Sequence, residues 1–148
     1  EAVFVGDNEG KVWRINYDQA SNTWSNPYGT SPLYSPSSSN SPITGAPFAQ
    51  KVGGRLYVVV GTGQYFSLSD IASNVQNYAL GLLQQYVNST GTEVNAIVST
   101  TERALEQKLY TITTNPLTAA NKGWRLKLLP GQSIVSASNI HRSRVATF

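Results

Sequence analysis

The residue types that could support hydrolytic catalysis are few in this sequence of 148 residues. His141 is the single histidine, and Ser136, Ser138 and Ser143 lie near enough in sequence to be considered as its nucleophile. None of the three lies in a Gly-x-Ser-x-Gly pattern, which marks the sharp turn that exposes a nucleophilic serine. Arg142 and Arg144, which closely follow the histidine, favour a polar hairpin at the surface.

Two further patterns resemble catalytic or nucleotide-binding motifs. Glu102 and Glu106 are four residues apart, so on a helix they would share a face, as the paired acids of a glycosidase share a cleft. Any solvated helix shows the same spacing, so we interpret them as surface residues. The stretch Gly61-Thr62-Gly63 lacks the Lys-Ser/Thr ending of a phosphate-binding loop. The sequence therefore predicts that this chain is not an enzyme and binds no cofactor of its own.

Metal-binding patterns are equally weak. Asp7-Asn8-Glu9-Gly10 brings two acids and an amide together, but Asn and Gly are also the residues of a tight turn, and the turn is a sufficient explanation. The sequence contains no cysteine, which excludes disulfides and thiolate metal sites.

Aromatic residues could form a platform on which sugars stack. We expect Trp13 and Trp124 to pack in the interior, because aromatics at alternating strand positions usually do so. Trp24 lies in a predicted loop. If this chain touches a ligand, the sequence favours Trp24, Tyr28 and Tyr34 as the contact residues.

The composition predicts an all-β domain. Twelve Gly, seven Pro and eight Tyr, with only 13% charged residues, suit short strands joined by frequent turns. The net charge is +3, and its eleven Lys and Arg are spread singly, so we expect no nucleic-acid binding. No segment has the roughly 18 apolar residues of a membrane span, so we expect no membrane insertion. Because the chain starts at Glu1 beside an apolar strand, we interpret it as processed or as part of a larger protein.

The best-defined element is a buried strand at residues 55–60, bounded by Gly53-Gly54 and by Gly61-Thr62-Gly63, which let the backbone turn sharply or pass close to a neighbour. Residues 2–5 and 11–17 form a predicted hairpin, with Val12, Arg14 and Asn16 on one face. A polar loop is predicted at 18–41, and extended structure restarts at 42–48. Two helical segments are predicted, a helical turn at 68–72 and a helix that starts from the capping box at 99–102 and runs through Ala104, Leu105 and Gln107. Further strands are predicted at 77–83, 108–113, 123–128, 133–136 and 144–148.

A weak internal sequence similarity relates residues 10–15 to residues 123–128. Each stretch begins with a glycine turn, which is followed by a strand that contains an aromatic residue and an arginine. Repeats of about 40 to 50 residues with four antiparallel strands mark β-propellers. We therefore expect residues 1–148 to form one segment of a β-propeller, about three blades' worth of chain, with one or two short helices in the loops.

Seven stretches resemble, in the same order, the C-terminal β-propeller domain of the PilY/PilC family, whose members are associated with the tips and biogenesis of bacterial type IV pili. They are FVGD (4–7), GKVWRI (10–15), PITGAP (42–47), VGTGQYF (60–66) with SD (69–70), QNYALGL (76–82), KGWRL (122–126) and QSIV (132–135).

The resemblance implies an exported protein of the bacterial cell surface, located at the pilus tip, the outer membrane or the periplasm. It implies a role in pilus biogenesis, attachment and twitching motility, with minor pilins or the pilus tip complex as partners and an unidentified surface or host receptor. Many family members carry a calcium loop just before the strand that begins here at Ala2. By that spacing Glu1 takes the place of the loop's last ligand. Calcium needs six to eight oxygens, so we expect it only in the parent protein.

Two alternatives remain open. One is a secreted or periplasmic propeller enzyme that resembles quinoprotein dehydrogenases, which would need a cofactor-binding funnel with convergent charged groups. The other is a periplasmic assembly scaffold, which would copurify with envelope machinery rather than with sheared pili.

Overall fold

The computed structural model describes residues 1–36, 41–52, 55–71, 74–87, 93–95, 104–105, 123–141 and 145–147, and these form a predominantly β structure. The expected all-β class is confirmed at this level. The elements are β1 Ala2–Gly6, β2 Val12–Asp18, β3 Thr23–Ser25, β4 Phe48–Val52, β5 Arg55–Gly61, α1 Leu68–Ile71, β6 Tyr78–Val87, β7 Glu93–Asn95, β8 Ala104–Leu105, β9 Gly123–Lys127, β10 Asn139–His141 and β11 Val145–Thr147.

The first three strands form an antiparallel sheet, which we call the N-terminal sheet, in the order β1-β2-β3. A short turn joins β1 to β2, and the carboxylate of Asp7 organises it. One Asp7 oxygen accepts hydrogen bonds from the backbone N–H groups of Glu9 and Lys11, both at 2.9 Å, and the other accepts the indole N–H of Trp13 at 2.7 Å. The turn interpretation of residues 7–10 is therefore confirmed.

The second sheet, which we call the central sheet, contains the antiparallel strands β4-β5-β6-β9. Strand β8 extends it by pairing with β9 in parallel, and β7 pairs with the far end of β6. At the register pair Gly81 and Trp124, the Trp124 ring occupies the space that a Cβ on Gly81 would need, 2.2 Å from its Cε2 atom. Strands β10 and β11 pair with each other in a separate antiparallel hairpin.

The core lies between the N-terminal and central sheets. Alternation places Val58 and Val60 of β5, and Leu80 and Leu82 of β6, in one cluster with Val12 of β2. Each such side chain contributes about 1.5–3 kcal/mol when fully buried, so this layer is a major source of stability. The loop after β3 completes the cluster with residues such as Leu33 and Tyr34.

Two matching contacts hold the connecting segments against the ends of these sheets. Gly6 ends β1, and a Cβ built there would lie 2.1 Å from Cγ2 of Ile43; the Ile43 N–H donates to the Asp7 carbonyl at 2.9 Å. We call Gly6, Asp7 and Ile43 the first joint.

The same arrangement recurs at the end of β5. A Cβ on Gly61 would lie 2.1 Å from Cγ2 of Ile134, and the Ile134 N–H donates to the Thr62 carbonyl at 3.0 Å. We call Gly61, Thr62 and Ile134 the second joint. The close approach expected at residues 61–63 is thus confirmed.

Three local expectations were wrong. The loop predicted at 18–41 contains β3, which places Trp24 in a strand paired with β2. Ala104 and Leu105 form a strand beside β9 rather than a helix, because sheet pairing outweighs the local capping signal. Residues 133–136 form no strand and instead supply the second joint. The strand predicted at 108–113 lies outside the described residues.

Candidate functional site

A cleft of about 250 Å³ opens where the two sheets end. The turn after β1, the loop after β5, the segment before β6 and the two connecting segments all reach it. Its lining residues are Asn8, Pro42, Gln64, Asp70, Val75, Asn77 and Ser133. The joints therefore determine its position, because each of them brings a connecting segment to the end of a strand.

The floor of the cleft is a fixed polar network around Asn77, which is buried. The Asn77 amide N–H groups donate to the Gln132 carbonyl at 2.9 Å and to the Ser133 hydroxyl at 3.0 Å. Its side-chain oxygen accepts from the Thr62 hydroxyl at 3.2 Å, and that hydroxyl accepts the Tyr78 N–H at 2.8 Å. Asn77 thus ties the second joint to the wall of the cleft.

The carboxylate half of a capping box, in which the third helical residue accepts the N–H of the N-cap residue, lies at the start of α1 and shapes another wall. Asp70 is the third residue of this short helix, and its carboxylate accepts from the backbone N–H of Ser67 at 2.9 Å and of Phe66 at 2.8 Å. Its other oxygen accepts the Gln64 amide at 2.8 Å. The Gln64 amide, followed by these backbone N–H groups, lowers the pKa of Asp70, so the carboxylate is ionised at neutral pH.

Several polar groups of the cleft keep unused hydrogen-bonding capacity. Ser133 accepts from Asn77, so its own O–H is available to donate. Gln64 uses one N–H on Asp70, and its carbonyl oxygen has no partner among the described residues. Asn8 lies exposed in the β1–β2 turn, and its amide makes no hydrogen bond within the part of the chain that the structure describes.

The loop held by Asp70 also presents apolar side chains to solvent. Tyr65 is 58% exposed, Phe66 75% and Leu68 81%. Since their backbone is fixed by the capping box, these side chains project from an ordered loop. Ordered, exposed aromatic residues beside a polar cleft are typical of recognition surfaces.

The three aromatic residues favoured from sequence have different environments. Trp24 is 61% exposed and packs on Tyr17, with ring centroids 4.8 Å apart. Tyr28 is half-buried against the core cluster, and Tyr34 is buried within it. Tyr34 therefore offers no ring face to a ligand in this structure, and Trp24 keeps the exposure that ligand contact requires.

The calcium position inferred for Glu1 stays a prediction about the parent protein. The Glu1 terminal amine donates to the Tyr17 carbonyl at 3.1 Å, and the Tyr17 N–H donates back to the Glu1 carbonyl at 2.9 Å. Among the described residues, no three His, Cys, Asp or Glu side chains come together as a metal site would require. No helix in the described part of the chain is long and apolar enough to cross a bilayer.

Those residues weighed for catalysis that the structure describes do not line the cleft. His141 lies in β10, and Ser136 and Ser138 lie in the segment that leads to it. Ser143, Glu102 and Glu106 lie outside the described residues.

Sequence reasoning missed the polar lining of the cleft. Ser67 and Asp70 have the Ser-x-x-Asp spacing of a capping box, so this part could have been found. Asn8 and Ser133 carry no such local signal, since only the tertiary structure brings them together.

No family model matches the chain, and no significant match was found among curated proteins or solved structures.

Proposed function

We propose that this chain is a β-propeller segment of an exported bacterial surface protein that resembles the PilY/PilC family. It acts without catalysis, through its surfaces, in type IV pilus biogenesis, attachment and twitching motility. Its partners are minor pilins or the pilus tip complex on one side and a surface or host receptor on the other. Calcium belongs to the parent protein.

The observation that carries this proposal is the repetition of the joint. In each joint the N–H of an isoleucine donates to the carbonyl of the residue after a strand-ending glycine, and that isoleucine fills the space above the glycine. Each isoleucine also precedes the first strand of a hairpin by five residues: Ile43 precedes Phe48 of β4, and Ile134 precedes Asn139 of β10. Serial units joined by one recurring contact are what successive propeller blades require.

The packing of the units supports the same architecture. Val12 of the N-terminal sheet shares one core cluster with Val58, Val60, Leu80 and Leu82 of the central sheet, as packing between neighbouring blades would require. The segment before β10 runs along the one before β4, since the Ser138 N–H donates to the Ala46 carbonyl at 3.3 Å. The hairpin β10–β11 corresponds to β4–β5 and begins a third unit.

The loops that this architecture leaves at the ends of the strands support a surface role. The loops there are free to vary in length, and one of them presents three exposed apolar side chains beside a polar cleft. Loops positioned by a rigid scaffold are the usual place for recognition.

The test is fractionation of the source bacterium. Filaments are sheared from cells and separated from the periplasm, and both fractions are probed with an antibody against residues 18–31, most of which are exposed. A deletion strain controls for the antibody, and the major pilin and a periplasmic marker control for the fractions. We expect signal in the filament fraction, located at filament ends by immunogold microscopy.

Signal confined to the periplasm would overturn the surface assignment and favour the assembly scaffold. Cofactor-dependent dehydrogenase activity of the intact parent protein would overturn the non-enzymatic assignment.

A further inference from the structure

We propose that the cleft at the ends of the two sheets binds one ring of a neutral, hydroxyl-rich glycan, with the exposed aromatic residues of the adjoining loop packing against the saccharide. This inference deepens the proposed function, because it names the class of receptor that the surface protein would recognise. The geometry that supports it is independent of pili.

The size of the cleft limits the ligand. At about 250 Å³ it lies below the roughly 300–1,000 Å³ of sites for drug-sized molecules. It accommodates a single small ring or one side chain, while the remainder of a larger ligand must lie on the surrounding surface.

The unused polar groups favour hydroxyls. Asn8 offers two N–H donors and a carbonyl acceptor, Gln64 offers one N–H and its carbonyl, and Ser133 offers an O–H. A cation would need a site dominated by acceptors, and an anion one dominated by donors. The two carbonyl oxygens together have four lone pairs, which balance the four N–H and O–H donors. Such a mixture suits groups that both donate and accept, and sugar hydroxyls do both.

The carboxylate of Asp70 refines the class of sugar. Four hydrogen bonds from Gln64, Phe66 and Ser67 fix its position, and Asp70 lines the same cleft as Gln64. A fixed negative charge there disfavours sialylated and sulfated glycans and leaves a lone pair that can accept from a neutral hydroxyl.

The aromatic side chains suit the other face of a sugar. The C–H groups of a pyranose carry partial positive charge and pack well on the negative face of an aromatic ring. Tyr65 and Phe66 lie in the chain between two lining residues, Gln64 and Asp70, and both are largely exposed. The capping box orders their backbone before any ligand arrives, which reduces the entropy cost of binding.

The experiment uses the purified full chain on an array of neutral, sialylated and sulfated oligosaccharides, with an array of Lys- and Arg-rich peptides beside it. Multivalent display compensates for the weak affinity of a single small site. We expect binding to a subset of neutral glycans, competed by a simple glycoside such as methyl α-D-galactoside or methyl α-D-mannoside. Binding only to anionic glycans, only to basic peptides, or to nothing on either array would overturn the proposal.

Variants separate the cleft from the rest of the surface. Asn8→Ala and Phe66→Ala should each weaken glycan binding between about threefold and about tenfold, the range expected for losing one or two modest contacts. The matched control Gln19→Ala removes an exposed amide from the β2–β3 turn and should change nothing. If Leu68→Ala abolishes binding while Asn8→Ala has no effect, the loop is an apolar docking site and the glycan proposal fails.

Failure of this proposal is distinguishable from failure of the proposed function. A protein found at filament ends that ignores neutral glycans loses only the glycan site. A periplasmic protein that binds them loses only the pilus assignment.

Discussion

The two joints share one packing plan but differ in what connects the strands beside them. At the first joint, β1 and β2 are linked by a turn of five residues, and one carboxylate, Asp7, satisfies it locally. At the second joint, sixteen residues separate β5 from β6, and the polar contacts of Asn77 reach across to residues 132–133.

The packing of each joint is therefore independent of the length of the loop beside it. The glycine and isoleucine contact is the same in both places, so it sets the position of the connecting segment whatever the loop does. The longer connection at the second joint then has room for α1, the cleft and the exposed aromatic residues. Both joints border the cleft, the first through its neighbours Asn8 and Pro42, but only the second carries the longer loop with the exposed aromatic residues.

The largest expected effect tests whether the joints are equivalent. Gly6→Ala and Gly61→Ala should each lower the free energy of unfolding by about 3 kcal/mol, because the new methyl group meets a stiff, β-branched isoleucine. Urea denaturation measures this. As control, Gly29→Ala places its methyl group in open space at a φ of 67° and should cost only about 1 kcal/mol of backbone strain. Equal costs at all three sites would show that steric overlap is not the cause.

The next effect tests the different polar support of the joints. Asn77→Ala should cost about 2 kcal/mol, because it leaves the buried Thr62 hydroxyl without its acceptor and removes two donors. Asp7→Asn should cost about 1 kcal/mol, since an amide nitrogen cannot accept the Trp13 indole N–H. Asn26→Ala, which removes only local turn contacts, is the matched control for Asn77. A larger cost for Asp7→Asn than for Asn77→Ala would reverse the comparison.

Lowering the pH should reduce the contribution of the first joint to stability and leave that of the second joint unchanged. Partial burial would raise the pKa of Asp7, but hydrogen bonds from the Trp13 indole and from the Lys11 and Glu9 backbone, with the Lys11 charge, outweigh it and lower the pKa. Because the pKa of Asp7 is lower in the folded than in the unfolded protein, ionised Asp7 stabilises the fold at pH values above its unfolded-state pKa of about 4. This stabilisation is lost as the pH falls below about 4.

The measurement is urea unfolding of wild type and variants between pH 7 and pH 2. The deficit of Asp7→Asn should shrink below about pH 4. The deficit of Asn77→Ala should stay constant, because Gly61, Thr62 and Ile134 carry no titratable side chain. A constant deficit for Asp7→Asn would remove Asp7 from the acid response.

The smallest effect is confined to the loop beside the second joint. Asp70→Asn weakens the capping box, so the amide hydrogens of Phe66 and Ser67 should exchange faster with solvent while global unfolding stays unchanged. Hydrogen exchange followed by NMR resolves this. Asp18→Asn, which loosens only the exposed β2–β3 turn, should accelerate the Ala20 amide and leave Phe66 protected. Slow exchange at Phe66 in Asp70→Asn would mean that other contacts order the loop.

Local patterns predict much of the fold. The alternation of residues 11–17 correctly places Val12 and Arg14 on one face, which the structure shows to be the buried one, and the glycines around residues 55–60 correctly indicate a buried strand. Both signals depend on neighbours in sequence, where period-2 alternation and turn chemistry are informative. The edge strand β3 was missed because three exposed residues carry no such period.

Long-range partners could not be predicted in this way. The internal sequence similarity matched residues 10–15 around β2 with residues 123–128 around β9, whereas the joints align β2 with β6. Nothing local indicates that Ile134 fills the space above Gly61 or that Ser133 meets Asn77. The cleft depends on these contacts, so its polar lining became visible only in the tertiary structure.

The two joints also close loops of different length. Ile43 follows Gly6 by 37 residues, whereas Ile134 follows Gly61 by 73. Each doubling of a flexible loop adds about 0.6 kcal/mol of closure entropy, so the second joint begins at a disadvantage of that size. We expect the N-terminal sheet and Ile43 to assemble first during folding, and the segment that carries Ile134 to dock later onto a strand end that is already in place.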